Sequence, residues 1–181
     1  MSELQEGQDN GKLMIVAAHI PLGVDIPDKP GSLWDPSSTP KEAELITELK
    51  KYSNLILLVA GHRHMNTITP LLSTDINHPE LGFWEVECAS LRDFPQQFRL
   101  FDIVRNSDNT ISIFATNVDP AVKPGTPAAS ARSLAVAAYQ IFNGAAVLPY
   151  QPTGVKNVEL VKQVSPEMQV KIQSYGTPII R

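Results

Sequence analysis

The sequence predicts a mixed α/β protein in a single domain, and three features carry that expectation. Two short apolar runs, Leu13 to His19 and Leu55 to Ala60, have the length and the lack of alternation of strands buried on both faces. A helical pattern lies between them. From Phe83 onward, strand-like segments succeed one another without an intervening helix until helical periodicity returns after Thr126.

Residues 2 to 9 read as a short helix capped by Ser2 and closed by Asn10-Gly11. The first strand follows, and His19-Ile20-Pro21-Leu22-Gly23 ends it, because proline lacks the ladder donor and glycine permits the turn. Asp25 to Ser38 is too rich in breakers for regular structure and reads as a surface loop. Thr39-Pro40-Lys41-Glu42 is a capping box, and Ala43, Leu45, Ile46, Leu49 and Tyr52 recur at helical spacing behind it. A helix joining two buried strands implies parallel neighbours, which brings both strand ends to one edge of the sheet.

Phe83 to Ser90, Phe98 to Arg105 and Thr110 to Val118 are the later strands, the last two forming an antiparallel hairpin across Asn106 to Asn109. Thr126-Pro127 starts a helix with Ala131, Leu134, Ala135, Ala138 and Ile141 on one face, stopped by Asn143-Gly144. Ser165-Pro166-Glu167 starts a shorter one. The chain divides into a core, 1–125, and a helical C-terminal extension, 126–181.

Composition narrows the function. Hydrophobic residues make up 43% and charged residues 19% of 181, the balance of a folding globular chain. A net charge of -4 leaves no basic surplus for a nucleic-acid backbone. The apolar runs are too short to span a membrane and the N-terminus is polar and acidic, so the chain as given is expected to be soluble and cytoplasmic, with the address of a longer parent left open. Cys88 is the only cysteine and lies in an apolar run, where a buried, inert thiol is expected.

Three of the four histidines stand immediately after predicted buried strands: His19, and His62 and His64 in Gly61-His62-Arg63-His64. Neutral imidazole is the commonest metal ligand, and a glycine before the pair lets the backbone turn and approach an ion. Taken singly, a strand-end histidine is more often a solvent-facing residue. His78, in Asn77-His78-Pro79, lacks the strand context and reads as a surface loop residue.

Ala17-Ala18-His19-Ile20-Pro21 followed by Gly61-His62-Arg63-His64 resembles the last two motifs of the calcineurin-like metallophosphoesterases, in order and in strand context. Ser90 to Arg99 also resembles a segment of a bacterial subgroup of these proteins. The resemblance implies the C-terminal half of a four-layer α/β/β/α sandwich. It implies that His19 and His62 share one ion and that His64 serves a second, the pair being iron, manganese or zinc and the substrate a phosphate mono- or diester. Arg63 and Asn66, beside these ligands, are candidate contacts to the substrate phosphate, with a solvated loop residue as the alternative. Arg92 and Asp93 are either an ion pair or supporting groups.

The family's upstream motifs, Asp-x-His, Gly-Asp-x-x-Asp and Gly-Asn-His-Asp/Glu, do not occur in these 181 residues. No catalytic residue is therefore assigned, and the expectation is of half a site whose bridging carboxylates come from an upstream half of the same protein. The alternatives are an inactive remnant that self-associates or pairs with a separate N-terminal half, and a single zinc held by three imidazoles. Metal analysis with a phosphate ester assay separates them: two ions and turnover for a complemented enzyme, one ion for the mononuclear site, neither for the remnant.

Overall fold

The computed structural model describes residues 1–22, 42–143 and 157–178. Among these residues, one sheet holds β1 (Met14–Ala17), β2 (Leu55–Ala60), β3 (Thr67–Leu71) and β4 (Phe83–Glu87) in the order β1-β2-β4-β3. A second holds β5 (Phe98–Arg105), β6 (Ile111–Val118) and β7 (Asn157–Lys162) as an antiparallel meander. The mixed α/β class stands.

β2 is the spine of the first sheet. It runs parallel to β1 on one side and β4 on the other, and Leu55, Ile56 and Leu57 are wholly inaccessible. A parallel strand needs cover on both faces, which is why this run carries no polar residue. On one face α1 (Ser2–Asp9) and α2 (Glu42–Leu49) contribute to a core of Met14, Leu49, Tyr52, Leu55, Leu58 and Phe83. On the other, Ile56, Leu57 and Val86 meet Ile111, Ile113 and Leu160 of the second sheet, with Met168 and Ile172 of α4 (Pro166–Ile172). Trp84 ties the sheets together by donating its indole N–H to the Val161 carbonyl at 3.0 Å. The layers are thus helices, sheet, sheet.

Several expectations change. β1 is an edge strand, not a doubly buried one: Met14 is buried, but Ile15 is 49% exposed because the second sheet leaves it uncovered. The strand expected from Phe83 forms, and it pairs parallel to β2. β3 went unforeseen because Pro70 argues against a strand interior, yet an edge position needs no donor there. The hairpin of β5 and β6 forms as expected, with buried Asn106 bonding Thr110 and Ser112 at 2.8 Å each.

The extension 126–181 is not wholly helical. It supplies β7, whose Val158 and Leu160 alternate into the core between the sheets. α3 (Pro127–Asn143) starts where Thr126 accepts from the Ala129 amide at 3.3 Å, but of its expected apolar face only Ala135 is buried, with Leu134 71% and Ile141 83% exposed. Ser165 caps α4 as expected, whereas Ser2 does not cap α1: its hydroxyl bonds Glu3 instead. The loop at 25–38, the capping box at Thr39 and the stop at Gly144 lie outside the described residues.

β7 also buries a charge. Lys162 is 3% exposed, donates to the Glu80 carbonyl, and burial pushes its ammonium down from 10.5 to about 8. The unfolded chain keeps this proton where the folded protein has lost it, so stability rises from about pH 8 toward 10.5, by at most about 1.4 kcal/mol per pH unit. Lys162→Met should be most stabilising, relative to wild type, at pH 8 and below. Urea denaturation of both proteins between pH 7.5 and 10 should show that advantage shrinking with pH; a constant difference would refute a folded-state ionisation at Lys162.

Candidate functional site

The histidines meet because the parallel pairing of β1 and β2 continues beyond both strands. Ala18 donates its amide to the Val59 carbonyl and Gly61 donates to the His19 carbonyl, each at 3.0 Å, while Cys88 donates to Ala60 at 2.8 Å. His19 and His62, 43 residues apart in sequence, therefore stand side by side. His62 Nδ1 lies 3.3 Å from His19 Nε2, with the rings edge to face at 81°. Two nitrogens at about 2.0–2.1 Å from one tetrahedral ion are about 3.3 Å apart, so this spacing suits a shared ion as well as an N–H to N hydrogen bond.

The turn that aims His62 is strained. Its φ is 77° and Arg63 donates its amide back to the Gly61 carbonyl at 3.0 Å, a γ-turn centred on His62. His64 has φ 57°. Such conformations cost of order 1–3 kcal/mol each and persist where the surroundings over-determine them. Gly61 is the position where the sequence places the unusual backbone. The structure gives it to the two histidines, and a Cβ at Gly61 would meet only ordinary contacts, 3.9 Å from the His19 carbonyl oxygen.

What holds the turn is a buried carboxylate. Glu87 at the end of β4 is 0% exposed, and Arg63 grips it with Nε at 3.0 and 3.1 Å, Nη2 at 2.5 Å and its own amide at 3.2 Å. Thr67 adds its hydroxyl at 3.1 Å. Two residues earlier, on the same face of β4, buried Glu85 accepts the Leu22 amide at 2.6 Å and so holds the loop that follows His19. Each histidine loop is pinned by its own carboxylate. Sequence reasoning missed both, although a Glu-x-Glu alternation inside the apolar Phe83 to Cys88 run was the signal.

Arg63 thus commits two guanidinium nitrogens and its amide to Glu87, while its side chain stays 41% exposed. Asn66 is buried and bridges loops: its Nδ2 donates to Gln97 Oε1 at 2.7 Å and its Oδ1 accepts the Ala89 amide at 3.2 Å. His64, expected from the sequence to converge with His19 and His62, does not join them in one cluster, and its Nδ1 lies 3.0 Å from Asp93 Oδ2. Asp93 also meets Arg92 Nε at 3.4 Å. A carboxylate on Nδ1 is the arrangement that leaves Nε2 of a histidine for a metal.

Among the described residues no three His, Cys, Asp or Glu side chains converge on one point. His78 is exposed and bonded to Glu80 at 2.9 Å, as a surface loop residue would be. Burial pushes the Cys88 thiol up, consistent with an inert role. A cavity of about 700 Å³ opens beside His64, walled by the Arg92 to Pro95 loop and α3.

The chain matches no protein-family model and no curated protein sequence.

Glu87→Gln keeps the shape but removes the charge that orders the Arg63 turn. It should destabilise the fold by about 2 kcal/mol, as expected for a buried carboxylate whose cationic partner is partly solvated. An unchanged urea midpoint would show that Glu87 does not hold the turn.

Proposed function

We propose that this chain is the C-terminal part of a dinuclear-metal phosphoesterase of the calcineurin-like kind, built on half of an α/β/β/α sandwich. The observation that carries the proposal is the 3.3 Å approach of His62 Nδ1 to His19 Nε2 at adjacent parallel strand ends. Its order of elements, strand-His, helix, strand-Gly-His-x-His, supports the same assignment.

In this scheme His19 and His62 hold one ion, and His64, oriented through Nδ1 by Asp93, offers Nε2 to the other. A pair of iron, manganese or zinc ions, if bound, would supply Lewis acidity toward a phosphate ester and an acidified water as nucleophile. Arg63 and Glu87 keep the strained turn in place, so both rings are aimed before any ligand arrives. Glu87 has both carboxylate oxygens engaged by Arg63 and Thr67, and Glu85 accepts the Leu22 amide, so both serve here as anchors of the loops. The bridging groups come from an upstream half or from a separate polypeptide.

A second function, as an interaction module, draws on one further observation. Among the described residues β1 is the outermost strand of its sheet, and it shows Ile15 at 49% exposure, the kind of edge that recruits another strand.

Zinc titration tests the leading assignment. His62→Asn is the informative variant, since asparagine tolerates the left-handed backbone at this position. His19→Ala and His62→Asn should each weaken zinc binding by more than about tenfold, with the double variant no worse than either, and His64→Ala should spare that ion. Additive losses, or no loss, would overturn the shared ion. Sedimentation of Ile15→Lys tests the interaction module: a wild-type oligomer that this variant dissolves supports it.

A further inference from the structure

The cavity beside His64 combines two chemistries. Its loop wall presents Arg63, His64, Arg92 and Asp93, and its helix wall, from α3, presents Ala135, Ala138, Tyr139, Ile141 and Phe142. At about 700 Å³ it falls within the roughly 300–1,000 Å³ of small-molecule sites. Met65, Phe94 and Pro95 add apolar surface to the loop wall, so the charged groups are confined to one wall while apolar groups line both, a lining that matches an amphiphilic ligand.

Part of the apolar wall is organised in advance. Phe94 stacks against Tyr139 with centroids 5.7 Å apart, and Arg132 lies over the Phe94 ring at 5.1 Å while donating to the Pro95 carbonyl. Phe94 is therefore held from two sides without a ligand, which lowers the ordering cost of binding there. Further along α3, Ile141 and Phe142 line the same cavity and are 83% and 90% exposed, apolar surface that an occupant would cover.

We infer that this cavity receives the organic group of the substrate, and that the substrate class is a phosphate ester with an aromatic or otherwise apolar alcohol. The assignment rests on the phosphoesterase proposal for the position of the phosphate, beside His64. The polar lining favours that orientation: Arg63, His64 and Arg92 all belong to the loop wall, where Arg63 is paired with Glu87 and Arg92 with Asp93, and the α3 residues of the lining carry no ionised side chain.

The test uses the full chain with three probes: 1-naphthyl phosphate, 1-naphthol and inorganic phosphate. Naphthyl phosphate should bind at least about tenfold more tightly than inorganic phosphate, with naphthol retaining measurable affinity, followed by probe fluorescence and calorimetry. Ala138 is exposed on the cavity side of α3, so Ala138→Trp fills the space without entering the core. It should weaken naphthyl phosphate binding by about tenfold or more and leave inorganic phosphate and zinc binding unchanged. Ile141→Ser, which shortens the wall, should weaken it in the same direction, and equal urea midpoints for all three proteins confirm an intact fold.

Naphthyl phosphate binding no better than inorganic phosphate, or equally well to Ala138→Trp, would overturn the inference. So would a dimer that naphthol dissolves, since a second copy would then be the occupant. Zinc binding that fails while the naphthyl probe still binds supports the cavity and overturns the metal assignment instead. Zinc binding that succeeds while the naphthyl probe fails overturns the cavity alone.

Discussion

Two carboxylates at the end of β4 hold the loops that carry His19 and His62. Glu85 and Glu87 share one face of a strand that is otherwise apolar, and both are buried. A buried carboxylate is costly unless donors surround it, so each acts as a fixed anchor that the neighbouring loops must satisfy. Leu22 satisfies the first, Arg63 and Thr67 the second. The loop after β1 and the loop after β2 are thereby drawn to the same end of the sheet, and their histidines with them.

This anchoring accounts for a backbone that would otherwise be unfavourable. Left-handed φ values at His62 and His64 are sustained because Arg63 lies between them and is held at both its amide and its guanidinium. The strain has a use in the proposed function. A ring held at the correct angle before an ion arrives loses no conformational freedom on binding, and the outer partner of a ligand is what commonly fixes that angle. Asp93 plays the corresponding part for His64, at a partly exposed position where its hold is weaker.

The second sheet and the tail have a different role. They cover the face of β2 and β4 that the helices do not reach, and β7 extends the hairpin to complete that cover. α3 stands apart from this core. It docks through Arg132 and Tyr139 on the Arg92 to Pro95 loop, buries Ala135, and places Ala138, Ile141 and Phe142 on a cavity while Leu134 stays exposed outside it.

By itself the sequence determined the mixed α/β class, the parallel pairing of the two apolar strands, the hairpin of β5 and β6, and the meeting of His19 with His62. These depend on local apolar runs and on turn residues, signals that act over a few positions. Tertiary structure alone decided that β1 is an edge, that Thr67–Leu71 and Asn157–Lys162 are strands, and that α3 exposes the face its periodicity would bury. It alone assigned Arg63 to Glu87, Asn66 to Gln97 and His64 to Asp93, partners 24, 31 and 29 positions away. Periodicity reports which side of an element is apolar. Only the packed chain decides what stands opposite that side and which donors a buried carboxylate recruits.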